Sequence, residues 1–373
     1  MFTNYQFVVF GEEHYNPLGI IRSLGENGIF CDAIIIRQNQ KVASVSRYIR
    51  NLSVVESIEE GYALLLEKYG NEQKKVFVLA GDDKVTSYLD MHYDEIKDRF
   101  YFYNAGEAGR ITYYMDKNNI NILAEKHGLN VAKTFVAQCG QVPEGIEYPI
   151  ITKSISSNSG GWKDDVFVCY NEQELVEAYT KIKSPVVLLQ KYIKKKNELC
   201  IDGFTTNKGT EMFLSMAATY DYILPDRYSC YMTITNIHDQ DLYDKIKAML
   251  TELGYEGIFC IEFLIGEDDQ LYFLEVNLRN SGWSYASTCA GMNLPMLWCE
   301  SMLTKQIPAN AYKEIPDGFK AIVEITDFKS RVLGRKIGLI QWIKELKKCK
   351  CTFYWSSADP KPFWSAIFSK LIK

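Results

Sequence analysis

The sequence predicts an α/β domain with a parallel sheet, then an α+β region built from antiparallel hairpins, then a short basic C-terminal extension. Three observations carry this. Over the first hundred residues short apolar runs alternate with helix-period segments, from Asp116 the strands come in pairs, and the last 45 residues change sharply in charge. A chain of 373 residues exceeds one average core, so two to three domains are expected.

Taken in order, Tyr5 to Phe10 reads as a strand ending at Gly11. Pro17 opens a helical pattern through Leu18, Ile21 and Leu24 that closes at Gly25 or Gly28. Ile29 to Ile36 is the next strand, Gly61 to Tyr69 a helix and Val76 to Leu79 a buried strand. Such alternation builds a parallel sheet covered on both faces, with ligands gathering at the carboxyl ends of the strands. Those ends carry Gly11-Glu12-Glu13-His14-Tyr15-Asn16 and Gly81-Asp82-Asp83. Neither has the Gly-x-Gly-x-x-Gly spacing of a dinucleotide site.

Beyond Asp116, Lys117 to His127 reads as a helix stopped by Gly128. Tyr148 to Ser154 is a strand, and a small-residue loop from Ser156 to Gly161 leads into a second strand, Val166 to Tyr170. A helix from Glu172 to Ile182 precedes a strand at Val186 to Gln190. Further strands fall at 198–204, 212–219, 258–265 and 271–276, with a helix at 242–253. The expected domains are therefore 1–110, 111–310 with a subdomain at about 118–192, and 311–373.

Composition narrows the class. At 47% hydrophobic and 24% charged the chain is an ordinary folded protein. The start shows no secretory pattern and no apolar run reaches eighteen residues, so a cytoplasmic protein is expected, at most peripheral at the inner face of a membrane. Ten cysteines are scattered without a Cys-x-x-Cys, and the four histidines lie far apart, so reduced thiols are expected and structural zinc is not. Residues 329–373 hold eleven Lys/Arg against two Asp/Glu, whereas the rest holds 31 against 45. That asymmetry suggests an anionic partner for the tail or a solvated basic face. On a helical wheel started by Pro362, Phe363, Trp364, Ile367, Phe368, Leu371 and Ile372 fill one half, and Ser365, Ala366, Ser369, Lys370 and Lys373 the other. An interfacial helix touching an anionic membrane has that separation, and so does a terminal helix docked on its own protein. Nothing points to nucleic acid.

The strongest chemical signal lies near residue 270. Glu262 sits mid-strand in an apolar run, and across a hairpin Glu275 and Asn277 project from one face of the returning strand. Two carboxylates and an amide oxygen suit Mg²⁺, and Arg279, two further on, adds a fork for phosphate or carboxylate. The alternative is a buried ion-pair network around Arg279.

The stretch Leu274-Glu275-Val276-Asn277-Leu278-Arg279, with Glu262 before it, resembles the metal-binding hairpin of the ATP-grasp superfamily, with Leu278 where many members have proline. The resemblance extends upstream, over roughly residues 1 to 305, and implies two subdomains clasping ATP. Asp116-Lys117 looks like the first phosphate-binding lysine segment and Ile150-Ile151-Thr152-Lys153 like the strand bearing the second. The loop Ser156-Ser157-Asn158-Ser159-Gly160-Gly161 looks like the phosphate cover, with Ser156, Ser159, Gly160 and Gly161 as its contacts. Gln190-Lys191-Tyr192-Ile193 looks like the hinge whose backbone reads adenine, and Glu198 like the ribose acid, although Lys194-Lys195-Lys196-Asn197 replaces the usual glycine-containing turn. Asn16 to Gly25 looks most like D-aspartate ligases, and carbamoyl-phosphate-synthase-like members are also similar.

What the resemblance implies is an ATP- and Mg²⁺-dependent ligase, with Mn²⁺ as an alternative ion, joining a small-molecule carboxylate to an amine through an acyl phosphate. Lys153 and Arg279 would act in catalysis, and cell-wall or cell-surface biosynthesis is the expected setting. Asp82, Arg227, Arg279 and Ser281 are the candidate substrate contacts, and a homodimer is an expected assembly. The rival readings are a carboxylase or phosphotransferase using the same site, and an ATP-binding regulator without turnover.

Overall fold

The computed structural model describes residues 1–155, 165–224 and 229–369. The chain divides into two units, one of Met1–Ile111, Leu199–Ile261 and Asn277–Lys373, the other of Thr112–Glu198 and Glu262–Val276.

The first unit opens with strands β1 (Phe7–Glu12), β2 (Cys31–Ile36), β3 (Ile49–Val55), β4 (Val76–Ala80) and β5 (Phe100–Tyr101), all parallel, in the order β3-β2-β1-β4-β5. β2 and β4 are buried at every position, as a sheet covered on both faces requires. β3 is not foreseen by the sequence reading. It is a half-exposed edge strand with Arg50 and Asn51 reaching Asp32, and it lacks the apolar run that marks its neighbours. The order turns back at β1, which lies between β2 and β4, so the loops after β1 and β4 meet at a topological switch point. Gly81 permits that approach, since a Cβ there would stand 2.5 Å from the Pro17 ring.

The helix after β1, Tyr15–Gly25, starts two residues before Pro17 because the His14 ring caps it, accepting the Asn16 N–H at 3.2 Å. Burial lowers the His14 pKa to about 4, with the Arg279 charge adding to the effect, so the ring stays a neutral acceptor. Every residue of this helix is buried, Arg22 included. Its guanidinium donates to the carbonyls of Phe353, Tyr354 and Asp359 and pairs with the Asp359 carboxylate at 3.2 Å. Asp359 also accepts from Ser46 Oγ and the Arg47 N–H, while Glu324 accepts from the N–H groups of Phe353, Tyr354 and Trp355. The C-terminal stretch is thereby stitched into the first unit.

The second unit holds β6 (Thr134–Gln138), β7 (Ile150–Ser154), β8 (Val168–Cys169) and β9 (Val186–Lys191), antiparallel in the order β6-β9-β7-β8. Ile150, Cys169, Val187 and Leu189 pack with Leu175 and Ala178 of the helix Glu172–Tyr179. Because side chains alternate along a strand, the opposite face of β7 carries Ile151 and Lys153.

A seven-stranded sheet is formed by β10 (Lys195–Thr206), β11 (Glu211–Tyr220), β12 (Tyr231–Thr235), β13 (Gly257–Gly266), β14 (Leu271–Asn277), β15 (Phe319–Ile322) and β16 (Cys349–Thr352), in the order β14-β13-β10-β11-β12-β15-β16. Residues 311–373, expected as an extension, instead supply β15, antiparallel to β12, and β16, parallel to β15. Both are four-residue strands, too short for periodicity to reveal them. The terminal helix, Lys361–Phe368, departs from its expected faces. Ala366, on the expected polar half, is buried with Pro362, whereas Trp364 and Phe368 are exposed. Leu371, Ile372, Lys370 and Lys373 lie outside the described residues. All ten cysteines are free, and among the described residues no helix is long and apolar enough to cross a membrane.

Candidate active site

In the second unit the site begins with Asp116. Its carboxylate accepts the N–H groups of Asn118 and Asn119 and starts the helix Lys117–Lys126, so Lys117 opens the first turn. The Lys117 N–H donates to the Ile155 carbonyl just past β7, which ties the helix start to the strand bearing Lys153. Lys117 Nζ lies 3.8 Å from a Glu275 carboxylate oxygen. Lys153 Nζ donates to Gln190 Oε1 at 2.7 Å, and Gln190 in turn donates to Thr134 Oγ1. Burial is the main cause that lowers the Lys153 pKa to about 8, and the like charge of Lys117 adds to it, while Glu275 and Glu198 pull the other way. Here are two ammonium groups and two carboxylates in one neighbourhood, with the deeper cation held against a neutral amide.

The hinge is partly committed. The N–H of Lys191 bonds the Lys133 carbonyl and that of Tyr192 the Pro149 carbonyl, so those two donors are taken within the unit. The Gln190 side chain, which the sequence reading did not use, supports Lys153 instead. Glu198 is shielded and paired with Lys195 at 2.8 Å, within the lysine-rich spacer that stands for a glycine turn. Lys194 and Lys196 point elsewhere, to Glu267 and Asp269 of the β13–β14 turn. Ser156, Ser159, Gly160 and Gly161 lie outside the described residues, as does Arg227.

Glu262 lies on β13 and Glu275 and Asn277 on β14, two apart along that strand. Among the described residues no group of three or more His, Cys, Asp or Glu is arranged to hold a metal. The expected set has only two carboxylates, and its third member is an amide.

In the first unit Arg279 is held on two sides. Its guanidinium makes a two-bond fork to Asp83 at 2.7 and 3.0 Å and donates to Asn277 Oδ1 at 3.0 Å. Spacing does not reveal Asp83 as the counter-ion, because 196 residues separate it from Arg279. The next residue, Asn280, exchanges hydrogen bonds with Asn16, whose amide also donates to the Gly81 carbonyl. Ser281 is buried and donates to the fully buried Asp202, whose pKa burial raises to about 6. Asp82 caps the helix Asp83–Met91 through Val85 N–H and accepts the Glu12 N–H. Asp82 and Ser281, expected to touch substrate, therefore both hold loops in place.

The loops after β1 and β4 frame a cavity of about 400 Å³ lined by Glu12, Glu13, His14, Gly81 and Asp82, with Gln38, Asn39 and Gln40 following β2, and with Ser369. The sequence pointed to the loops after β1 and β4. Gln38 to Gln40 carry no signal until β2 is seen beside β1.

A family model described as "ATP-grasp in the biosynthetic pathway with Ter operon" matches residues 183–324. The L-amino acid ligase of Bacillus licheniformis superposes with a TM-score of 0.64 at 12% identity, covering 84% of this chain and 78% of that one. The chain has the ATP-grasp fold. By sequence it is 26% identical over 249 residues to the D-alanine–D-alanine ligase of Fusobacterium nucleatum subsp. nucleatum, covering 60% of this chain and 80% of that protein. It is 23% identical over 238 residues to the 2-oxoglutarate carboxylase small subunit of Hydrogenobacter thermophilus, where the match spans 60% of this chain and only 46% of the subunit. The biotin carboxylase domain of that carboxylase, solved with MgADP, ADP and bicarbonate, superposes with a TM-score of 0.64 at 17% identity, covering 85% of this chain and 73% of that one.

Proposed function

We propose that the chain is an ATP- and Mg²⁺-dependent ligase that joins a carboxylate to an amine through an acyl phosphate. The observation that carries the reading is the second unit's cluster of Lys117, Lys153 and Glu275. A lysine whose charged form is opposed by burial and by a second lysine is stabilised by a polyanion, and a triphosphate supplies one. Glu198 suits the ribose hydroxyls as an acceptor. Glu262, Glu275 and Asn277 offer oxygen donors of the hard kind that Mg²⁺ takes, and the bound ion would neutralise phosphate charge.

In the first step a substrate carboxylate oxygen bonds to the γ-phosphorus of ATP and the bond to the β-γ bridging oxygen breaks, giving ADP and an acyl phosphate. In the second, the amine lone pair attacks the acyl carbon, inorganic phosphate leaves, and the nitrogen gives up a proton. Lys117 and Lys153 hold the phosphates. Arg279, already oriented by Asp83, supplies a preorganised cation for the oxyanion.

The names of the two ligase relatives favour an amino acid as one substrate, and the acid-rich cavity at the β1–β4 switch suits a polar or cationic one. A role in cell-surface biosynthesis goes further, and the same screen reaches it. ADP release is measured while crossing amino acids and nucleotide-linked cell-wall precursors as acceptor and amine. Release that requires both partners, with amide product detected, supports the reading. ATP binding without ADP release under every pairing would leave a regulator instead.

A further inference from the structure

The segment 328–350 contains a helix that the proposed reaction does not use. Helix Leu339–Leu346 buries none of its residues. Its inward side is fixed by Trp342, whose Nε1 donates to Asp327 Oδ2 at 2.8 Å and whose ring meets Phe328 edge-on. The outward side is apolar. Ile340 is 73% exposed, Leu339 50% and Ile343 39%, and Leu333, at the preceding helical turn, is 64% exposed.

The same stretch, residues 333–350, carries six exposed cations: Arg335, Lys336, Lys344, Lys347, Lys348 and Lys350. The single acid between 328 and 350, Glu345, is half-buried and paired with Arg331 at 2.7 Å. The patch thus presents aliphatic tips inside a rim of uncompensated positive charge. Protein interfaces are depleted in lysine and use aromatic, methionine and arginine anchors, which this patch lacks at its centre. Lysine-rimmed aliphatic faces match the chemistry of an anionic bilayer, where the tips enter the headgroup boundary and the lysines meet lipid phosphates.

We propose that the helix Leu339–Leu346 and its flanking lysines form a docking surface for an anionic lipid bilayer. The surface is independent of the ligase reading, because none of its residues belongs to the nucleotide cluster or the cavity. Vesicle flotation of the full chain tests it, with phosphatidylcholine–phosphatidylglycerol vesicles beside phosphatidylcholine alone, at low and high salt. Binding is expected to the anionic vesicles, and to weaken with salt. Lys344→Gln, Lys347→Gln and Lys348→Gln together should weaken it about a hundredfold, at about fivefold for each cation. Ile340→Ser with Ile343→Ser should abolish flotation while the thermal midpoint holds, since both side chains are exposed. Trp364→Ser with Phe368→Ser should leave it intact.

Absence of flotation at low salt overturns the proposal. So does flotation that survives the isoleucine pair, or that is lost with the Trp364 and Phe368 pair, which would move the contact to the terminal helix. Concentration-dependent dimerisation abolished by the isoleucine pair would show a second copy to be the occupant.

Discussion

The two units treat buried charge in opposite ways. In the first, Arg22 is closed off by Asp359 and three carbonyls. In the second, Lys153 leans on a neutral amide beside another lysine, and Lys117 stands 3.8 Å from its carboxylate. Charges that hold a fold are matched within it. Charges set for a ligand are matched in part, and the remainder of their stabilisation comes from outside the chain.

The hardest test of that contrast is Arg22→Met, which strands Asp359 in the core. A loss of about 3–5 kcal/mol in chemical denaturation is expected, as for breaking other buried pairs. A change below about 1 kcal/mol would mean that the first unit does not depend on its matched charges.

Lys153→Met should do the reverse. Turnover falls by about 10²–10³-fold, the usual cost of losing a preorganised charge at a developing anion, while the thermal midpoint at pH 7 holds or rises. The sign follows from the lowered pKa. Between about 8 and the ordinary 10.5 the unfolded chain binds more protons than the folded one, so this lysine costs stability below about 8 and the cost fades as pH climbs. A midpoint several degrees lower would make Lys153 a structural residue.

Glu275→Gln is expected to cut turnover by about tenfold to a hundredfold and to raise the Mg²⁺ concentration needed for half-maximal rate. An unchanged magnesium titration would remove Glu275 from the metal site. ATP affinity should be flat below pH 8 and then weaken by about tenfold per pH unit, because a bound triphosphate holds the Lys153 proton that the free protein releases. Calorimetry in buffers of different ionisation enthalpy should show proton uptake above pH 8, and its absence would uncouple Lys153 from the nucleotide. The smallest effect belongs to the exposed Lys194–Glu267 pair, where Lys194→Ala should leave the denaturation midpoint within error.

What could be read in advance follows the same division. Glu262 and Glu275 were visible because they interrupt apolar strands, and Lys117 and Lys153 because their segments resemble ATP-grasp motifs. The supports of the site were not, since Asp83, Asn16 and Asp202 act through residues some 80 to 260 positions away, which no local pattern encodes. The central strands β1, β2 and β4 announced themselves by hydrophobicity, whereas the edge strand β3 and the short β15 and β16 carried too little of it. In residues 311–373 the basic charge is legible in the sequence, and the pairing of β15 with β12 and of β16 with β15 is not.

The Arg22–Asp359 lock has a consequence for synthesis. Its partners stand 337 residues apart, and a ribosome adds roughly 5–20 residues each second. The first helix of the nascent chain therefore waits on the order of tens of seconds with its guanidinium unpartnered. Until Asp359 emerges, the helix packed on the β1–β5 sheet lacks the carboxylate that closes off its buried cation.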